Sequence, residues 1–118
     1  MKLPNDEENY MYQYQDLYTI DFTNIKYYPE MHKTIQKALD WPDYYGCNWD
    51  AFWDCLTNMV GRQVHIKILG WDVIEQNFCD DAKIMVDILK EFKHYRNDKY
   101  AHEIQIEIVN GNTHKKIQ

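Results

Sequence analysis

Two aspartates, Asp50 and Asp54, stand four residues apart in a run that reads as a helix. That spacing puts both carboxylates on one helical face, together with Trp53 and Thr57. Paired carboxylates can act as an acid/base couple, ligate a metal, or accept charge-assisted hydrogen bonds from a partner's cations. The first two uses call for a cleft or for further ligands. No third acid or histidine lies at ligand spacing on this helix. Like charges at this spacing cost a few tenths of a kcal/mol, roughly, in an isolated helix. Asp50 recovers some of that cost near the positive helix N-terminus, whereas Asp54 lies further in. A solvated outer face ordinarily carries Lys, Glu and Gln, and a tryptophan between two acids points to a contact surface. The plainer alternative is that Trp53 packs beneath a loop and the two acids are simply hydrated.

The elements that must position this face lie in the stretch Trp41 to Met59, WPDYYGCNWDAFWDCLTNM. Pro42, Gly46 and Asn48 are turn formers, and Asn48 is also suited to cap a helix starting at Trp49. Ala51, Phe52, Cys55, Leu56 and Met59 form the apolar stripe of that helix. Gly61 fits just past its end.

This stretch resembles the barstar family of intracellular ribonuclease inhibitors. The resemblance is carried by Tyr44, Tyr45 and Gly46, then Asn48, Asp50 and Ala51, then Trp53, Asp54, Cys55, Leu56 and Thr57. A run of that length at fixed spacing is far more specific than any pair of acids. The order of elements fits from about Tyr18 to Val109, by pattern rather than identity. Two departures stand out. Cys47 occupies a place where the family pattern has an acid, and Asn58-Met59 replace a glycine and a tryptophan. The first removes a charge from the expected binding edge, and the second changes backbone freedom and an aromatic contact at its far rim.

Length and composition set bounds. The chain has 118 residues, enough for one domain, and 45% hydrophobic residues, enough for a packed core. Nineteen acids against 13 bases give a formal charge of −6. That balance offers little attraction for nucleic acid or an anionic membrane and suits a basic protein partner, although mild acidity also serves solubility alone. The three cysteines, Cys47, Cys55 and Cys79, are an odd number without paired spacing, which argues against a disulfide framework or a zinc site and for a reducing, cytoplasmic setting. Cys55 is expected as a buried small hydrophobe, while the exposure of Cys47 in the loop is left open. The N-terminal residues lack the pattern of a secretory leader, and no stretch approaches the ~20 apolar residues of a membrane span.

Residues 1–16 are acidic and tyrosine-rich, either a flexible lead-in or an added edge segment; the domain proper is expected over 17–110, followed by a loose basic tail, 111–118. Alternation predicts strands at Tyr18–Phe22, Val64–Leu69 and Ile104–Val109, the last ending at Asn110-Gly111. A helix from Pro29 to about Leu39 carries the stripe Met31, Ile35, Ala38 and Leu39, with His32 off the stripe in solvent. Trp71–Phe78 is ambiguous and could be a short helix. A longer helix from about Asp80 buries Ile84, Met85, Ile88, Leu89 and Phe92 and turns Asp87, Lys90, Glu91 and His94 outward, with Arg96 among the bases near its end. The predicted fold is a two-layer α/β domain. Three parallel strands in order 1-2-3 carry helices on one face and water on the other, because the strands alternate cleanly and right-handed crossovers then land on the same side. The resemblance implies that same architecture.

Three functions compete. By resemblance, the acidic face blocks a ribonuclease toxin in a 1:1 heterodimer. Asp54 would insert deepest and Asp50 beside it, with Tyr44, Tyr45, Gly46, Asn48, Trp53 and Thr57 around them and Glu91 on the neighbouring helix. No cofactor, metal, nucleic acid or membrane is expected to take part. The second reading is a carboxylate-based hydrolase, disfavoured by an exposed helical face. The third is an interaction module of the same fold with a partner that is not a nuclease.

Overall fold

The structure is a computed structural model and describes residues 17–43, 45–59, 63–95 and 104–118. The expectations for residues 1–16, Tyr44, Gly61 and Arg96 fall outside the described residues.

Along the chain run β1 (Tyr18–Asp21), α1 (Tyr28–Ala38), α2 (Trp49–Thr57), β2 (Val64–Leu69), α3 (Trp71–Asn77), α4 (Cys79–Lys93), β3 (Ile104–Asn110) and β4 (Thr113–Lys116). Strands β1, β2 and β3 are parallel and adjacent in that order. Ile66 lies between Tyr18 and Ile106, and Ile68 between Ile20 and Ile108. These residues are buried together with Val64 and Ile104. The alternate residues, among them Thr19, His65, Lys67, Gln105 and Glu107, stay exposed or half-exposed. The predicted two-layer arrangement therefore holds, with helices over one face of the sheet.

Local chemistry explains the boundaries. In α1, Glu30 accepts hydrogen bonds from the backbone N–H groups of Lys26 and Tyr27, both 2.8 Å, which holds its carboxyl below the usual range. Pro29 sits in the first turn, where its missing N–H is not needed. The ambiguous stretch after β2 is helical as α3. Its first turn is fastened to the end of β3 by a 2.8 Å bond from the Asp72 N–H to Asn110 Oδ1. Gly70 turns the chain into α3 with φ +68. A Cβ there would lie 2.5 Å from the Thr23 backbone nitrogen, so conformation and close approach both demand glycine.

Three expectations are corrected. The residues after Gly111 are not a loose tail; they return as β4, antiparallel to β3, making a four-stranded mixed sheet. Gly111, at φ +58, opens the two-residue turn, and buried Ile117 donates its N–H to the Ile106 carbonyl at 2.8 Å. The sequence Thr-His-Lys-Lys hid the strand, because an edge with polar residues on both faces shows no apolar alternation.

His32 is not in solvent. It is 1% exposed and lies on the row Tyr28, Met31, His32, Ile35, whose 3-1-3 spacing is that of a packed helix face. In α4 the deepest row is Ala82, Met85, Leu89 and Phe92, whereas Ile84 is 42% exposed. Ile84 adjoins Met85 in sequence and so lies about 100° around the helix from it.

Candidate functional site

The acidic face is set by the start of α2. Asn48 caps the helix, accepting a 2.8 Å bond from the Ala51 N–H as expected, and its Nδ2 donates to the Gly46 carbonyl at 3.3 Å. Cys47, between them, is half-buried with a left-handed backbone, φ +55, which is unusual for a residue with a Cβ. A Cβ on Gly46 would lie 3.2 Å from Asn48 Nδ2 and 3.4 Å from Ala51 Cβ, so the loop presses closely on the helix start.

Behind the loop stands an aromatic block. Tyr45 is buried and its ring centroid is 5.2 Å from that of Trp41. Its hydroxyl is 2.6 Å from His32 Nδ1. Burial pushes the Tyr45 phenol well above its ordinary range and pulls His32 below its own, the latter opposed by the charge of Asp81. Gln36 Nε2 donates to the Pro42 carbonyl at 2.9 Å, and the Trp41 N–H to the Gln36 carbonyl at 3.0 Å. These bonds fasten the loop to α1.

The helix is braced as well. Phe52, Leu56 and Met59 are core residues, with Ala51 and Cys55 half-buried beside them. Burial first, and then the Asp54 charge, raise the Cys55 thiol pKa. Trp49 donates from Nε1 to Asp81 Oδ1 on α4 at 2.8 Å, and its ring packs 4.4 Å from His32 and 5.2 Å, edge-on, from Phe52. Trp53 stands edge-on to Tyr95, just past the end of α4, at 5.3 Å. The two tryptophans thus tie α2 to both ends of α4.

What remains outward is narrow. Asp50, Asp54 and Asn58, at i, i+4 and i+8, form the exposed ridge of α2 and its cap. Thr57 is half-buried, and its hydroxyl donates to the Trp53 and Asp54 carbonyls, each at 3.0 Å. Gly46 and Asn48 lie exposed at the head of the ridge. Glu91 is exposed on α4, one turn before the Tyr95 that Trp53 touches.

The geometry revises two sequence readings at the site. Trp53 is not an open aromatic on the acidic face; it is half-buried and packed against the core cluster. Tyr45 supports the loop from inside rather than facing a partner. Met59 is 2% exposed and belongs to the core, as its place on the apolar stripe led one to expect. Trp49, Asp81 and Tyr95, the bracing contacts, had no role in the sequence reading. The i, i+4 repeat of Trp49 and Trp53 was the available signal, since two large aromatics on one row need something to pack against.

Among the described residues no group of three or more His, Cys, Asp or Glu could hold a metal ion, and no helix is long and apolar enough to cross a membrane. All three cysteines are free thiols.

Comparison with known proteins agrees with this geometry. Residues 15–108 match the family model described as Barstar (barnase inhibitor). A Bacillus subtilis (strain 168) protein described as "Putative ribonuclease inhibitor YrdF" is 30% identical over 80 residues, covering 68% of this chain and 85% of that protein. With the family match spanning most of the chain and the parallel sheet, capped acidic helix and supporting loop all in place, this chain belongs to the barstar (barnase inhibitor) family.

Proposed function

We propose that the protein is an intracellular inhibitor that binds a cognate ribonuclease toxin one-to-one and blocks its active site with the α2 ridge. The observation that carries this reading is the exposed pair Asp50 and Asp54 on a helix clamped at both ends of α4. A ribonuclease gathers Arg, Lys and His around the scissile phosphate. A carboxylate held on a rigid helix takes the phosphate's place and accepts charge-assisted bonds from those cations. Inhibition then follows from occupancy, and no bond in the inhibitor is made or broken. Rigidity matters because little ordering entropy is lost on binding.

In this reading Asp54 occupies the phosphate position. Asp50 neighbours it, and Thr57, Trp53, Gly46, Asn48 and the Tyr44-Tyr45 loop frame it. Glu91 meets the toxin's edge from α4. Three free thiols suit a reducing cytoplasm. A cysteine in place of the loop acid points to a toxin less basic at that edge than the partner of an inhibitor with the acid.

The test is co-expression with barnase-type ribonucleases, first among them any encoded beside this gene, with cell survival as readout and stopped-flow association measured across salt concentrations. The expected result is rescue, with an on-rate that falls steeply as salt shortens the screening length below about 8–10 Å. Absence of rescue, or an on-rate indifferent to salt, refutes the proposal.

A further inference from the structure

The second notable surface is built by β4, beyond residue 108 where the family match ends. Since β4 follows β3 through a two-residue turn, no crossover helix covers it. An open groove of about 790 Å³ is left between β4 and the flanks of α3 and α4. Its floor is apolar, with Trp71, Val86, Ile108 and Ile117. Three lysines, Lys83, Lys90 and Lys115, line it against two acids, Glu75 and Asp87. Together with the His114-Lys115-Lys116 run of β4, it makes a locally basic edge on a chain of net charge −6. It shares no lining residue with α2.

Among the described residues β4 is an edge strand, paired on one side only. In an antiparallel pair, residues alternate between hydrogen-bonded and non-hydrogen-bonded positions. Ile117 donates inward to Ile106, so Lys115 opposite Ile108 and Thr113 opposite Asn110 also bond inward. His114 and Lys116 then turn their N–H and C=O groups away from β3, toward the open edge. Lys115 lies on the same face as its partner Ile108, over the groove, while Lys116 pairs with Glu107 on the opposite face.

We propose that this edge and groove bind an extended, acidic segment of another polypeptide by strand addition. Its backbone pairs with the outward groups of His114 and Lys116. Alternate side chains fall toward the groove, where apolar ones cover Val86 and Ile117 and acidic ones meet Lys83, Lys90 and Lys115. Charge decides the occupant. A second copy pairing through its own β4 would set His114, Lys115 and Lys116 against their counterparts, and like charges across strands are destabilising. An acidic strand turns the same residues into partners.

The experiment titrates the isotope-labelled full chain with a short synthetic peptide of alternating Glu and Val, followed by NMR, with a Lys-Val peptide as control. Expected are saturable shifts confined to β4 and the groove side of α4, and none with the control. Lys116→Pro removes an outward N–H without touching the β3 ladder, and should weaken binding by about tenfold. The charge-reversed variant K83E/K90E/K115E should prefer the Lys-Val peptide, and it carries the test if the proline variant does not fold. Equal binding of both peptides, shifts centred on α2, unchanged affinity in folded Lys116→Pro, or a concentration-dependent dimer that excludes the peptide each overturn the proposal. Tighter binding after deletion of residues 1–16 also overturns it, because the occupant is then the chain's own acidic segment.

Discussion

Asp54→Ala is expected to separate binding from folding in this protein. In the free chain the Asp54 carboxylate is exposed and makes no hydrogen bond or ion pair among the described residues. Truncation therefore removes no internal contact, and surface changes of this kind stay within about 0.5 kcal/mol. Two small gains accompany it: alanine is the better helix former, and the repulsion from Asp50 one turn away disappears. The free variant should melt at or slightly above the parent. If Asp54 takes the phosphate position as proposed, it is surrounded in the complex by desolvated cations that truncation would leave unpaired. Truncating one member of such a pair costs about 2–5 kcal/mol, the general scale of buried interfacial charge pairs, barnase–barstar among the complexes that set it. At about 1.4 kcal/mol per decade, the dissociation constant should rise between roughly 30-fold and several thousand-fold, mostly through faster dissociation. Surface-binding kinetics and urea melts on the same preparation give both quantities. Glu91→Ala, at the edge, should lose less. A folded Asp54→Ala that dissociates within about threefold of the parent would refute the reasoning.

Phe52→Ala should cost roughly 3–5 kcal/mol in urea melts, whereas Trp53→Ala, half-buried against Tyr95, should cost about half as much and also loosen the toxin complex; a larger loss at Trp53 would mean that the packing of α2 is misassigned. Acid should destabilise the protein through His32: burial lowers its folded pKa, so its stabilising contribution is complete above the unfolded value of about 6.5 and is lost as pH falls through the folded one. His32→Asn should flatten that limb of the pH–stability curve, and an unchanged slope would exclude His32 as its source. Gly70→Ala combines a left-handed backbone with a Cβ 2.5 Å from Thr23, and should lose more than the about 1–2 kcal/mol of the backbone term alone; thermal melts showing a smaller loss would contradict the close approach.

Most of the fold was legible because parallel strands with one wet face write their alternation into the sequence. Val64–Leu69 carries apolar residues at every second position, and its strand occupies those same residues. The α2 cap was equally legible, since Asn48 before a helical run has one strong local use. What periodicity does not encode was missed. Strand β4 is held by backbone bonds to β3 and by buried Ile117, and polar side chains at an edge show no pattern. His32 looked polar by type, yet its row on α1 is the one that faces Tyr45 and Trp49.

The site divides along the same line. The residue types and the i, i+4 spacing of Asp50 and Asp54 are local properties, and the sequence alone places the two acids on one face. Which neighbours share that face is a matter of packing. Trp53 is one residue from Asp54, and only the approach of α4 with Tyr95 turns it inward. Tyr45 is next to the exposed Gly46, and it is the His32 side chain thirteen residues earlier, together with the Trp41 ring, that holds it in the core. A helix offers each residue a direction but not a neighbour, and neighbours are supplied by elements distant in sequence. The sequence therefore determined where the charge stands, and the tertiary structure decided that the aromatics beside it, Trp49, Trp53 and Tyr45, pack inward and hold it in place.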